Sequence, residues 1–266
     1  MTTEAVIYRF CAQTDSGLTR ENNEDAYSFD EAAGVAVLAD GMGGYNAGEI
    51  ASSMASNIIK TEMSRWLTEA GSAASVQDMR RALEICVSNA NTAVFRAAHD
   101  NSHYSGMGTT LVAGVFRGSD LIMGHIGDSR CYRLRKGELV QITRDHSLLQ
   151  EQIDAGLLTP EQAALSMNKN LVTRALGVDD AVLLEVHEHV VEAGDVYLMC
   201  SDGLSDMVRD ADIAKILQLP LNPDQRAKTL VDTANAHGGR DNITVLLVQV
   251  EAGSEKRGLM ARLLGK

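Results

Sequence analysis

Val35-Ala36-Val37-Leu38-Ala39-Asp40-Gly41-Met42-Gly43-Gly44 is the stretch on which the fold turns. An apolar run long enough for one buried strand stops at a carboxylate. A glycine-rich turn follows, and a long helical pattern starts at Ala47. The same grammar returns at Val196-Tyr197-Leu198-Met199-Cys200-Ser201-Asp202-Gly203, and more loosely from Leu121 to Asp128. Strands that end in aspartate can aim several carboxylates at one point, which is a way to hold hard cations.

Outward from that stretch, residues 5–13 and 26–38 read as strands, with turns at Asp15-Ser16-Gly17 and Glu31-Ala32-Ala33-Gly34. Helical spacing covers 47–69 and 76–99. In the second, Met79, Leu83, Cys86, Val87, Ala90, Val94 and Ala97 share one face. A meander follows at 109–116, 120–126, 129–135 and 138–143, whose short turns require antiparallel pairing. Residues 146–172 are mixed and polar, and Thr159-Pro160-Glu161-Gln162 has the form of a capping box. Strands resume at 182–191 and 195–200. Helices follow near 210–218 and 223–237, then a last strand from Ile243 to Val250. Grouped strands and grouped helices predict α+β layers rather than a parallel βαβ array.

Composition narrows the function. With 266 residues, 45% apolar, and no Pro/Ser/Gly-rich linker, one large domain is expected. A net charge of −12 excludes a duplex nucleic-acid binder, which needs a basic surface. Cys11, Cys86, Cys131 and Cys200 are scattered without a Cys-x-x-Cys pair, so neither a zinc site nor a disulfide framework is expected. No signal segment opens the chain, and no apolar run approaches the roughly 20 residues of a membrane helix. A cytoplasmic location is the expectation.

The chemistry lies in the carboxylates. Asp40, Asp202, Asp128 and Asp241 fall at strand ends near glycine, and Glu24 and Asp25 flank another strand start. Taken singly, each is ordinary turn chemistry. So many carboxylates converge in a fold only if cations neutralise them. Oxygen ligands without a histidine or cysteine cluster favour Mg²⁺ or Mn²⁺ over Zn²⁺. Arg20, four residues before Glu24, offers a planar fork suited to phosphate; the bland reading pairs it with Glu24.

Eight motifs then stand in order: Arg20-x-x-Asn23-Glu24-Asp25, Asp40-Gly-Met-Gly-Gly44, Gly108-Thr-Thr110, Gly127-Asp-Ser-Arg130, Asp145-His-Ser147, Thr173-Arg-Ala-Leu-Gly177, Ser201-Asp-Gly-Leu204 and Gly239-Arg-Asp-Asn242. Together they resemble the metal-dependent serine/threonine protein phosphatases of the protein phosphatase 2C family, bacterial branch. The resemblance runs from about Tyr8 to Val250. It implies a four-layer α/β/β/α sandwich and a catalytic domain over 5–251, with a flap at about 146–172. It also implies two core Mn²⁺ or Mg²⁺ ions, bridged by Asp40. Asp202 and Asp241 complete the first site, the Gly41 carbonyl and Glu24 serve the second, and Asp25 stands in the outer shell. Asp128 with Asp202 matches a third-metal position, and Arg20 would hold the substrate phosphate.

The implied reaction is hydrolysis of phosphoserine and phosphothreonine in proteins by a water held between the ions, with no covalent enzyme intermediate. Phosphoproteins and a cognate Ser/Thr kinase are the implied partners, and a monomer is expected. The chain departs from the animal relatives at Met42, where they carry a histidine proposed as general acid; bacterial members commonly show methionine. Two other functions are compatible with the fold: a catalytically silent phosphatase-like sensor, and a phosphatase of small phosphoesters.

Some features are set aside. His187-Glu188-His189 lies on an alternating strand and reads as a solvated face, His237 as a helix cap, and His146 as structural. The basic tail 252–266 carries Leu259, Met260, Leu263 and Leu264 on one side of a short helix, and reads as a frayed or self-packed terminus rather than a membrane contact.

Overall fold

A strand that is apolar at every position needs cover on both faces, and the chain supplies it with two sheets and two helical layers. The structure is a computed structural model describing residues 6–43, 47–159, 162–163 and 171–253. The elements run β1 (Val6–Asp15), β2 (Asp25–Asp30), β3 (Val35–Met42), α1 (Ala47–Ala70), α2 (Val76–Asp100), β4 (Gly108–Thr109), β5 (Leu111–Arg117), β6 (Asp120–Ile126), β7 (Arg130–Arg135) and β8 (Glu138–Gln141). They continue α3 (Leu148–Asp154), β9 (Glu185–Val190), β10 (Val196–Cys200), α4 (Asp202–Ser205), α5 (Asp210–Leu217), α6 (Pro223–Ala236) and β11 (Ile243–Ala252).

One sheet has the order β1-β11-β10-β7-β8, the other β2-β3-β5-β6-β9 with β4 beside β3, and every pairing is antiparallel. Three apolar seams separate four layers. Val37, Ala113 and Ile122 meet Ile59, Met63 and Leu83 of α1 and α2. Their neighbours Leu38, Val112 and Met123 point the other way, into the seam between the sheets with Tyr197, Met199 and Leu246. Val245, Leu247 and Leu198 cover Ile213, Leu230 and Ala234 of α5 and α6. Period-two alternation thus survives inside the continuous apolar runs, with both faces dry. Each fully buried Leu or Ile in these seams contributes roughly 1.5–3 kcal/mol. The α/β/β/α expectation stands.

Local signals set the helix ends. Ser75 and Asp78 form a capping box at α2, and Asn222 and Gln225 form another at α6 behind Pro223. Thr159 and Gln162 exchange the same pair of bonds, at 2.8 and 3.3 Å. Two short helices, α3 and α4, lie where the sequence predicts no helix. Neither is long enough to show a periodic face. Strand β3 also runs past its expected end at Leu38, because Gly41 and Met42 pair with Thr109 and Gly108 of β4. Asp40 is therefore fixed inside a ladder rather than at the start of a turn. The tail beyond Gly253, Gly44 and most of the 160–170 portion of the expected flap lie outside the described residues.

Candidate metal centre

Antiparallel pairing brings the carboxylates to one end of the sandwich. In the first sheet the end of β1, the start of β11, the end of β10 and the start of β7 lie side by side, since Asp15 faces Ile243 and Cys200 faces both Val245 and Arg130. Asp241, Asp202 and Asp128 are each one or two residues outside those strand ends. In the second sheet Asp25 opens β2 directly opposite Asp40 near the end of β3. The chain passes between sheets four times: 191–195 crosses at the far end, and 16–24, 127–129 and 142–184 all cross at this one. They carry Arg20 and Glu24, Asp128, and Asp145-His146.

Uncharged groups hold this mouth in place. Ser201 donates its hydroxyl to Asp25 Oδ2 at 2.7 Å, across the two sheets. Asn242 accepts the Glu24 N–H on Oδ1 at 2.7 Å and donates to the Asn22 and Ser16 carbonyls at 2.8 and 3.1 Å. Thr110 receives the Asp40 N–H on its hydroxyl oxygen at 3.0 Å and donates its own N–H to the Asp40 carbonyl at 2.9 Å. Gly41 admits no side chain: a Cβ there would meet the Gly48 carbonyl and come 2.6 Å from the Glu24 oxygen. A Cβ at Gly48 would come 2.8 Å from the Glu24 carboxyl carbon. Arg20 pairs with Asp241 at 2.8 Å rather than with Glu24, and its side chain is 53% exposed at the rim.

The electrostatics are those of like charges crowded together. Loss of water, then the charges of Asp25, Asp202, Asp128 and Asp241, push Asp40 well above the usual carboxylate range. Asp202 is pushed up by burial and then by Asp128, Asp206, Asp241 and Asp25. Burial raises Asp25 to about 6 against the pull of its hydrogen bonds, and raises Asp128 to about 6 with help from Asp145. Glu24 is also raised by burial, with Arg20 opposing. Asp25 Oδ1 is buried without a protein hydrogen-bond partner. An orphaned carboxylate oxygen among mutually repelling carboxylates fits a hard divalent cation.

Every expected carboxylate is at the mouth, and Asp206, absent from the sequence reading, joins them through its charge on Asp128 and Asp202. The signal was its place four residues after Asp202, one helical turn on. Its N–H closes that turn on the Asp202 carbonyl at 2.8 Å.

A histidine cluster does exist in three dimensions. His125, His146 and Glu185 hold ligand-type atoms within 4.8 Å of one another, and His187 Nε2 donates to Glu185 Oε1 at 2.8 Å. Tutored only by sequence spacing, this group could not be seen: its members are 21 and 39 residues apart. It does not fit zinc. His146 Nδ1 accepts the Gly127 N–H at 3.1 Å, so its proton is on Nε2, facing Glu185 Oε2 at 3.0 Å, where a metal would need the lone pair. Burial works to raise Glu185, yet its bonds to His146 and His187 hold it at about 2. His237 closes α6 as expected, with Nδ1 2.8 Å from the Met207 carbonyl. All four cysteines are buried and unbridged.

Two packed antiparallel sheets between helical layers, with a carboxylate cluster at one end, define the class. Residues 18–235 match the family model described as protein phosphatase 2C, and the chain belongs to that family. It is 41% identical over 246 residues to serine/threonine protein phosphatase PstP of Mycobacterium tuberculosis, covering 92% of this chain and 45% of that one. It is 34% identical to serine/threonine phosphatase stp of Listeria innocua over 89% of this chain and 94% of that one. The chain thus spans less than half the length of the mycobacterial relative. Among solved structures, Mycobacterium tuberculosis PstP/Ppp superimposes with a TM-score of 0.85 at 39% identity, covering 92% of this chain and 99% of that one. The catalytic domain of PstP in complex with two manganese ions gives 0.80 at 38% identity, with 92% and 99% covered.

Proposed function

We propose that this protein is a Mn²⁺- or Mg²⁺-dependent phosphatase of phosphoserine and phosphothreonine in proteins. The observation that carries the reading is the convergence of Asp25, Asp40, Asp128, Asp202 and Asp241 at one mouth, each exposed to the charges of the others. Asp40, Asp202 and Asp241 are the residues to hold one core ion, and Asp40, Glu24 and the Gly41 carbonyl the second, with Asp25 behind them. Asp128 and Asp202, beside Asp206, would take a third. Bound ions supply charge neutralisation and a water acidic enough to attack at neutral pH.

The chain's own groups do the rest. Arg20 receives the substrate phosphate on its planar fork, releasing Asp241, and offsets charge that develops on the phosphoryl oxygens. Ser201, Thr110 and Asn242 keep the carboxylates in place, so no reorganisation is needed at the moment of reaction. Hydrolysis breaks the phosphorus–oxygen bond and releases the free hydroxyl residue and inorganic phosphate.

The catalytic domain is taken as 5–251, with the flap at about 146–172, in a monomer opposing a Ser/Thr kinase in the cytoplasm. Four buried, unbridged cysteines support a reducing compartment, and among the described residues no helix is long and apolar enough to cross a membrane. The test is hydrolysis of an aryl phosphate and of a phosphothreonine peptide with Mn²⁺. Turnover abolished by EDTA and by Asp202→Asn, with the fold intact, supports the reading. Intact protein with no turnover on either substrate refutes it and leaves the silent sensor. A clear preference for small phosphoesters over peptide moves the substrate class.

A further inference from the structure

His146 is left over by the phosphatase chemistry, yet it is 6% exposed and makes bonds on every side. Its backbone N–H donates to the Gly127 carbonyl at 2.8 Å, and its Nδ1 accepts the Gly127 N–H at 3.1 Å. One residue therefore satisfies both backbone polar groups of Gly127, a two-point clasp. Its own carbonyl accepts the Thr173 N–H at 2.8 Å.

Gly127 is where the chain crosses from one sheet to the other. It has a φ of +98°, and a Cβ on it would lie 2.7 Å from Thr110 Cγ2, so the turn admits glycine alone. Asp128 follows directly. On the far flank Ser129 Oγ and Thr110 Oγ1 share a hydrogen bond of 2.7 Å, and Thr110 is the residue tied to Asp40. The Gly127–Ser129 crossing is thus fixed from two sides, by Thr110 towards Asp40 and by His146 towards β9.

We propose that His146 is a positioning residue for Asp128, and that Glu185 sets the tautomer in which it works. The clasp needs a lone pair on Nδ1, so the ring proton must sit on Nε2. Glu185 Oε2, 3.0 Å from Nε2, accepts that proton and locks the assignment. Strand pairing brings Glu185 there, because it faces His125 in the β6–β9 ladder. The His125 ring stacks on His146 at 4.7 Å and 16° and prevents it from turning over. Loss of the clasp frees the Gly127 turn and lets the Asp128 carboxylate wander from Asp202. The inference rests on reading Asp128 as a metal carboxylate.

The experiment counts and ranks Mn²⁺ sites by titration calorimetry and by electron paramagnetic resonance of free Mn²⁺, with EDTA-stripped melting as the folding control. Asp128→Asn is the reference and is expected to abolish the weakest site. His146→Leu keeps bulk but offers no acceptor, and is expected to weaken that same site roughly 10–100-fold, the usual effect of losing an outer partner of a ligand. His146→Asn places a carbonyl oxygen near the Nδ1 position, and recovery of most of that affinity is expected. Glu185→Gln, which still accepts from Nε2–H, is expected to match wild type, and Glu185→Leu to follow His146→Leu. Nitrogen-15 shifts of the His146 ring should report the Nε2–H tautomer.

Failure of Asp128→Asn to change Mn²⁺ binding overturns the reading of Asp128 itself. A changed Asp128→Asn with wild-type binding in His146→Leu overturns the positioning role, as does an Nδ1–H tautomer. Equal loss in His146→Asn and His146→Leu overturns the acceptor role of Nδ1, since an acceptor put back at that position then restores nothing. If His146→Leu does not fold, the Glu185 pair decides on the same terms.

Discussion

Replacing Asp25 by asparagine removes one negative charge from the mouth while keeping an oxygen for the Ser201 hydroxyl, 2.7 Å away. In the metal-free protein this should be stabilising. Burial raises Asp25 from an ordinary 3.8 to about 6, so between those values the native state holds a proton that the unfolded state has lost. Stability therefore falls as pH rises through that window and stays low above it. At roughly 1.4 kcal/mol per pH unit, the rise corresponds to about 3 kcal/mol at neutral pH. For a chain of this size that is a melting shift of about 6–12 °C. Histidines with lowered pKa, buried His125 and half-buried His189, act with the opposite sign below their ordinary 6.5, but they are common to both proteins and cancel in the difference. The assay is melting of wild type and Asp25→Asn in EDTA from pH 8 to 5. The variant should lead by the full amount above pH 7, and the gap should narrow as pH falls below 6, to about half by pH 5. Added Mn²⁺ should reverse the order, because only wild type offers the orphaned oxygen to the ions. Equal melting at pH 7.5, or a gap that widens towards pH 5, would refute the crowded-carboxylate account.

Other outcomes follow from the same geometry. Asp202→Asn should lower Mn²⁺-dependent kcat/KM by at least about 100-fold while raising the melting temperature in EDTA, both read on one purified sample. Arg20→Lys keeps charge but loses the fork, and should raise KM for a phosphothreonine peptide more than it lowers kcat; steady-state kinetics checks this. Gly41→Ala drives a methyl against the Gly48 and Glu24 carbonyls, neither of which can rotate away, and should cost about 1–3 kcal/mol in denaturant unfolding.

Much of this was legible in the chain because it is local. The apolar runs at Val35–Leu38, Val196–Cys200 and Ile243–Val250 could only be strands covered on both faces, and the boxes at Asn222 and Thr159 marked helix starts. Carboxylates at strand ends already pointed to cations, because so many negative charges brought together must be neutralised. What the sequence could not order was which ends meet. Antiparallel register decides that, and it sends Asp25, Asp40, Asp128, Asp202 and Asp241 to one mouth across two sheets. Arg20 went to Asp241 rather than to its sequence neighbour Glu24, since the 16–24 crossing folds back on the 239–242 loop. His146 gained its place from Gly127 and Glu185, partners 19 and 39 residues away that no spacing rule connects. Periodicity and turn chemistry act over a few residues and were written in the sequence. The site is a set of contacts between strand ends, and only the packed sheets could make them.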